Sequence, residues 1–164
     1  MVKTDRIVEV MGMAIDVEHV GSLCFGYLAT LLKNGKVKET FKTFSDNSEA
    51  NKELLMSRLK DLGVDDFQLK HSCKYCKLNA ESFSLLGAVN LGLEISEAAI
   101  KAYKALEQCC DTQADAELFK SLLKEKLEQK HLLQKERQFD HHDEDAFMLI
   151  DTHCISEVIS KLWV

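Results

Sequence analysis

Glu18, Ser48, Asn51, Ser96, Lys126 and Gln129 are polar side chains at positions where the surrounding pattern calls for apolar ones. Along the chain they fall as one residue, a pair three apart, one residue, and a second pair three apart. Residues three apart on a helix share a face, so four helices carrying this set would gather the six into one layer. That is the layout by which a helical bundle holds two bridged metal ions, with a carboxylate or a carboxylate–imidazole pair from each helix. Here only Glu18 is a carboxylate. Iron in such a site needs carboxylate oxygens and imidazole nitrogens, and an ammonium, hydroxyls and amides favour ion pairing and hydrogen bonding instead.

Three other groups could do chemistry. Glu128-x-x-His131 has the spacing of a carboxylate–imidazole metal pair. However, the inner face of its helix is set by Phe119, Leu122, Lys126, Gln129 and Leu133, and Glu128 and His131 fall roughly 150° from that line, toward water. Cys73-Lys-Tyr-Cys76, preceded by His71, is half of a tetrahedral zinc or iron site, or a redox pair. Its missing ligands would come from Cys109 and Cys110, from His153 and Cys154, or from a partner chain; plain thiols on a connection are the simplest reading. The run His141-His142-Asp143-Glu144-Asp145 reads first as a solvated linker. Cys24 reads as a core residue, and His19 as a surface residue on a different face from Glu18.

The elements that would position the layer follow from apolar periodicity. One core line runs Ile7, Met11, Ala14, Glu18, Gly21, Phe25, Leu28, Leu32, with Asn34-Gly35 as its stop. A second runs Val37, Phe41, Phe44, Ser48, Asn51, Leu55, Arg58, Leu62, closed by Gly63. A third runs Leu85, Val89, Gly92, Ser96, Ala99, Tyr103, Leu106, Cys110, and the fourth is the line through Lys126 and Gln129. Asp111, Thr112 and Asp115 form a capping start for the fourth. A short turn joins the first two helices, a connection of about twenty residues joins the second and third, and a short turn joins the last two. Ile155, Val158, Ile159 and Leu162 share one face of a short fifth helix. The sequence thus predicts an all-α chain: an antiparallel four-helix bundle over 1–140 with a long crossover between helices 2 and 3, then a polar linker and C-terminal helix over 141–164.

The stretch AIDVEHVGSLCFGYLATLL, residues 14–32, resembles the rubrerythrin branch of the ferritin-like superfamily, with Glu18 at the family's first iron ligand and Phe25 seven residues later at its usual aromatic. FKTFSDNSEAN, LEISEAAIKAYKAL and FKSLLKEKLEQ extend the resemblance over roughly residues 4–138. They set Ser48, Asn51, Ser96, Lys126 and Gln129 where the family has its remaining ligands. The resemblance implies a ferritin-like bundle with a degenerate di-iron site and no cofactor there. Lys126 is then expected in the space of a metal, paired with Glu18, with Ser48, Asn51, Ser96 and Gln129 taking up leftover hydrogen bonds. In a shifted register Glu125, not Lys126, faces the centre. The enzymatic alternative is a working di-iron peroxidase or oxidase with ligands from Glu18, Glu49, Glu94 or Glu97, Glu128 and His131. A third reading is a zinc or redox adaptor built on Cys73 and Cys76.

Composition narrows the partners. The 164-residue chain has 21 basic against 27 acidic residues, a formal charge of −6, and no basic stripe interleaved with aromatics, which argues against nucleic acid. No apolar run approaches the roughly 18 residues that span a bilayer. An N-terminus bearing Lys3, Asp5 and Arg6, with no apolar stretch behind it, predicts a cytoplasmic address. Proline is absent and only seven glycines occur, so long helices are permitted. Leu127, Leu132, Phe147–Ile150 and Trp163 lie off the core lines, and such extra apolar surface suits a homodimer, a protein partner or a dock for the terminal helix.

Overall fold

The computed structural model describes residues 3–33, 35–70 and 85–138. The predicted fifth helix, and His71, Cys73 and Cys76, lie outside the described residues. The described residues form four helices: α1 (Lys3–Leu31), α2 (Gly35–Asp61), α3 (Leu85–Cys109) and α4 (Gln113–Gln138). The described residues contain no strand.

Two helix ends follow from local chemistry. At the end of α2, Gly63 adopts φ +84°, and the N–H groups of Gly63 and Val64 bond the carbonyls of Lys60 and Leu59. That is a Schellman closure, and glycine takes this left-handed conformation without a Cβ penalty. At the start of α4, Thr112 Oγ1 accepts the Asp115 N–H at 3.0 Å and donates to Asp115 Oδ2 at 2.6 Å. Thr112 is therefore the N-cap, and the expectation that included Asp111 narrows to it. Gly35 does not stop α1; it is the first residue of α2. Within the helices, Thr40, Thr43 and Ser96 turn their hydroxyls back onto carbonyls four residues earlier, sharing acceptors with the helical backbone.

The predicted core lines are buried almost throughout. The exceptions are the end of the second, where Leu59 is buried, Leu62 is half-buried and Arg58 turns to α4, and the end of the third, where Cys109 is buried and Cys110 half-buried. The core consists of two apolar clusters. One gathers Phe25, Leu28, Leu32, Val37, Phe41, Phe44, Leu85, Val89 and Leu133; Phe25 stacks edge-on against Phe41 and Phe44, with centroids 5.6 and 5.4 Å away. The other gathers Ile7, Met11, Ile15, Leu55, Leu59, Tyr103, Leu106, Phe119 and Leu122.

Helix contacts pair Ser22 with Ser45, Glu18 with Asn51, and Ser96 with Gln129. Arg58 clamps α2 to α4 through two bonds to Asp115, Nε to Oδ1 at 2.7 Å and Nη2 to Oδ2 at 2.9 Å. The bidentate geometry holds Asp115 below its usual carboxylate range and raises Arg58. Beyond α2 the chain turns along α1. Phe67 lies so close to Gly12 that a Cβ there would meet its ring at 2.9 Å, and the Lys70 N–H donates to buried Asp16 at 3.1 Å.

Candidate functional site

The division between the two apolar clusters is made by the polar residues singled out in the sequence. On α1, Glu18 lies between Val17 of one cluster and Val20 of the other. On α2, Ser48 and Asn51 lie between Leu55 and Phe44; on α3, Ser96 between Ala98 and Ile95; on α4, Lys126 and Gln129 between Leu122 and Leu133. All six are at most 6% exposed.

Burying an ammonium or a carboxylate is costly unless it is paired and its remaining hydrogen-bonding capacity is met. The structure meets both conditions. Lys126 Nζ is 2.9 Å from Glu18 Oε2 and donates to Ser48 Oγ at 3.3 Å. Glu18 Oε1 accepts from the Tyr103 hydroxyl and, at 3.3 Å, from Asn51 Nδ2. Asn51 also donates to Glu125 Oε1 at 2.9 Å, and that carboxylate lies 3.7 Å from Lys126. Glu18 is thus held by three donors from three other helices. Burial, then the facing Glu18 carboxylate, raises Tyr103 well above its ordinary value, so the phenol keeps its proton and acts as a donor.

Beside this ionic half lies a neutral one. Gln129 Nε2 donates to Ser96 Oγ at 2.8 Å, and the Ser96 hydroxyl donates to the Gly92 carbonyl at 2.7 Å. Gln129 Oε1 is buried and takes no hydrogen bond among the described residues. Gly21 brings α1 close here: a Cβ at that position would meet Ser48 Oγ at 2.9 Å.

These positions resolve the register of α4. Lys126 is 1% exposed and faces the centre, whereas the Glu125 side chain is 34% exposed and reaches the layer from its rim. Sequence reasoning did not single out Tyr103 as a member of the layer, and it placed Glu125 there only as a replacement for Lys126. Tyr103 sat on the third core line as an ordinary aromatic, and its polar tip was the available signal.

The residues of the alternative ligand set stand apart from Glu18 on the outside of the bundle. Glu49 accepts from Ser22 and Lys52, Glu97 pairs with Lys130 at 3.2 Å, and Glu94 is exposed. Glu128 and His131 border a shallow groove on the outer side of α4. Among the described residues no group of three or more His, Cys, Asp or Glu side chains could hold a metal ion. At the centre, the donor set is one buried carboxylate beside an ammonium, which does not fit a di-iron ion pair.

His19 departs from the surface position expected of it. It is half-buried near Asp16, Glu49 and Lys52, and its Nδ1 is enclosed without a hydrogen-bond partner among the described residues. Cys24 and Cys109 are buried and Cys110 is half-buried. Comparison of the chain with protein-family models, with curated proteins and with solved structures returns no match. No described helix is long and apolar enough to cross a membrane.

Proposed function

We propose that the chain is a ferritin-like, antiparallel four-helix bundle of rubrerythrin type in which a salt-bridged layer has taken the place of a di-iron centre. In this reading the protein needs no cofactor there and acts in the cytoplasm as a binding or structural protein that forms an oligomer, with a short C-terminal helix beyond the bundle. The observation that carries it is the Lys126 ammonium 2.9 Å from the Glu18 carboxylate, both 1% exposed, at the level where the resembling family binds metal. Charge is balanced there by a side chain. The antiparallel arrangement is supported by contacts whose partner number falls as the residue number rises: Glu18 to Asn51 and then Ser22 to Ser45, Gly92 to Leu133 and then Ser96 to Gln129.

Elemental analysis and a solution mass on one sample of protein loaded with ferrous iron test the proposal. The expected result is a colourless oligomer without stoichiometric iron; a pair of tightly held iron ions per chain would overturn the reading. Glu18→Gln is expected to destabilise the fold by about 3 to 5 kcal/mol, because it leaves the buried ammonium without its principal partner, and to leave metal content unchanged. Denaturant unfolding and the same elemental analysis read both outcomes.

A further inference from the structure

Leu127 and Leu132 are 45% and 46% exposed on α4, on the side away from Lys126, and with Lys124, Glu128 and His131 they form a shallow apolar groove rimmed by charge. Neither leucine belongs to either core cluster. Leucine at these sites contributes nothing to the core and leaves apolar area in water, which is a cost unless something covers it. We propose that residues 147–163 of the same chain cover this groove, packing the apolar line Ile155, Val158, Ile159, Leu162 and Trp163 onto Leu127 and Leu132.

Two observations select this occupant. The first is the tether. The chain leaves α4 at Gln138, and Leu132 and Leu127 lie only about 9 and 16 Å back along the helix axis. Residues 139–146 can reach about 27 Å when extended, so the segment after them can reverse direction and return along α4. A helix over 147–163 would be about 25 Å long, enough to pass both leucines. The second is charge. The exposed side of α4 carries Lys120, Lys124, Lys135 and Arg137 against Glu117 and Glu128, a basic excess, whereas the tail carries Asp140, Asp143, Glu144, Asp145, Asp151 and Glu157 against a single Lys161. The proposal is independent of the reading of the central layer.

Trp163 is the only tryptophan of the chain and reports on the docking directly. In the intact protein its emission is expected to be blue-shifted and its quenching by acrylamide severalfold weaker than that of a free indole, with no change on dilution. Leu127→Asp combined with Leu132→Asp should return both properties to those of a water-exposed tryptophan, while cooperative thermal unfolding of the bundle is retained. Leu54→Asp, at a comparably exposed leucine on α2, should leave Trp163 shielded. The proposal is overturned if Trp163 is already water-exposed in the intact chain, if its shielding disappears on dilution, which would assign the groove to a second copy, or if shielding survives the double substitution.

Discussion

Glu18 and Gln129 lie in the same buried layer but differ in what their loss would leave behind. Glu18 satisfies Lys126, Tyr103 and Asn51 together, so its removal strands several groups. Gln129 makes one bond, to Ser96, and carries an unsatisfied buried oxygen. Ser96 retains its bond to the Gly92 carbonyl whether or not Gln129 is present. Replacing a partly satisfied amide by an apolar group of similar shape removes a desolvation penalty of about 1 to 3 kcal/mol against a hydrogen bond worth about 1 kcal/mol. Gln129→Met is therefore expected to be neutral or to stabilise by about 1 kcal/mol, measured as a shift in the denaturant midpoint at unchanged slope. A loss of more than about 2 kcal/mol, the scale of a charged or fully used group, would mean that Gln129 does more in the layer than its one bond. The six original members of this layer were legible in the sequence because a polar residue on an otherwise apolar helical line has few structural explanations. Which atoms meet was less legible: Glu125 enters by reaching in from the rim, and its periodicity alone placed it either at the centre or outside.

Along the helices, four core lines were readable because an uninterrupted 3.6-residue period, with no proline to break it, leaves one face to bury. Reading failed at the edges. The period drifts at the end of α2, where Leu59 takes the core position and Arg58 turns to Asp115; an arginine on a core line gives no sign of a partner on a helix still distant in sequence. Gly35 looked like a stop because glycine is common just past a helix, yet it opens α2. The helices also differ in how closely they approach, and glycine substitutions measure this. At Gly92 a Cβ would meet Phe25 Cε1 at 3.0 Å and Leu133 Cδ1 at 3.1 Å. Phe25 is itself wedged against Phe41 and Phe44 and has little room to yield. The overpacking cost of about 1 to 3 kcal/mol then outweighs the gain of about 1 kcal/mol in helix propensity. At Gly35 nothing lies within 4 Å of an added Cβ, so only the reduced freedom of the unfolded chain counts. Gly92→Ala is expected to lower the melting temperature and Gly35→Ala to raise it by the equivalent of about 0.5 kcal/mol, and thermal denaturation of the two variants should show opposite signs.

For the molecule as a whole, stability should depend on pH in separable stages, because its perturbed groups lie in different windows. His19 is held below its ordinary value of 6.5, first by partial burial and then by the Lys52 charge, against the opposing pulls of Glu49 and Asp16. The unfolded chain therefore takes up this proton more readily than the folded one, and stability falls as pH drops from 6.5 through the lowered value. Glu49, held low mainly by its bond to Lys52, and Asp115, held low by Arg58, contribute stability that is present above their ordinary 4.5 and 3.8 and is lost only at more acid pH. Glu94 acts in the other sense: raised by burial and by Glu97, its contribution is full below 4.5 and is lost as pH rises through its raised value. The near-neutral loss on acidification thus traces to His19, whose enclosed Nδ1 has no acceptor among the described residues to receive a proton. Because the chain holds other histidines, the informative quantity is the difference between the wild type and His19→Gln. That difference is expected to be flat at pH above about 7 and to move in favour of the variant on acidification below 6.5, read from urea midpoints at a series of pH values. Parallel profiles for the two proteins would show that the His19 pocket accepts the proton without cost.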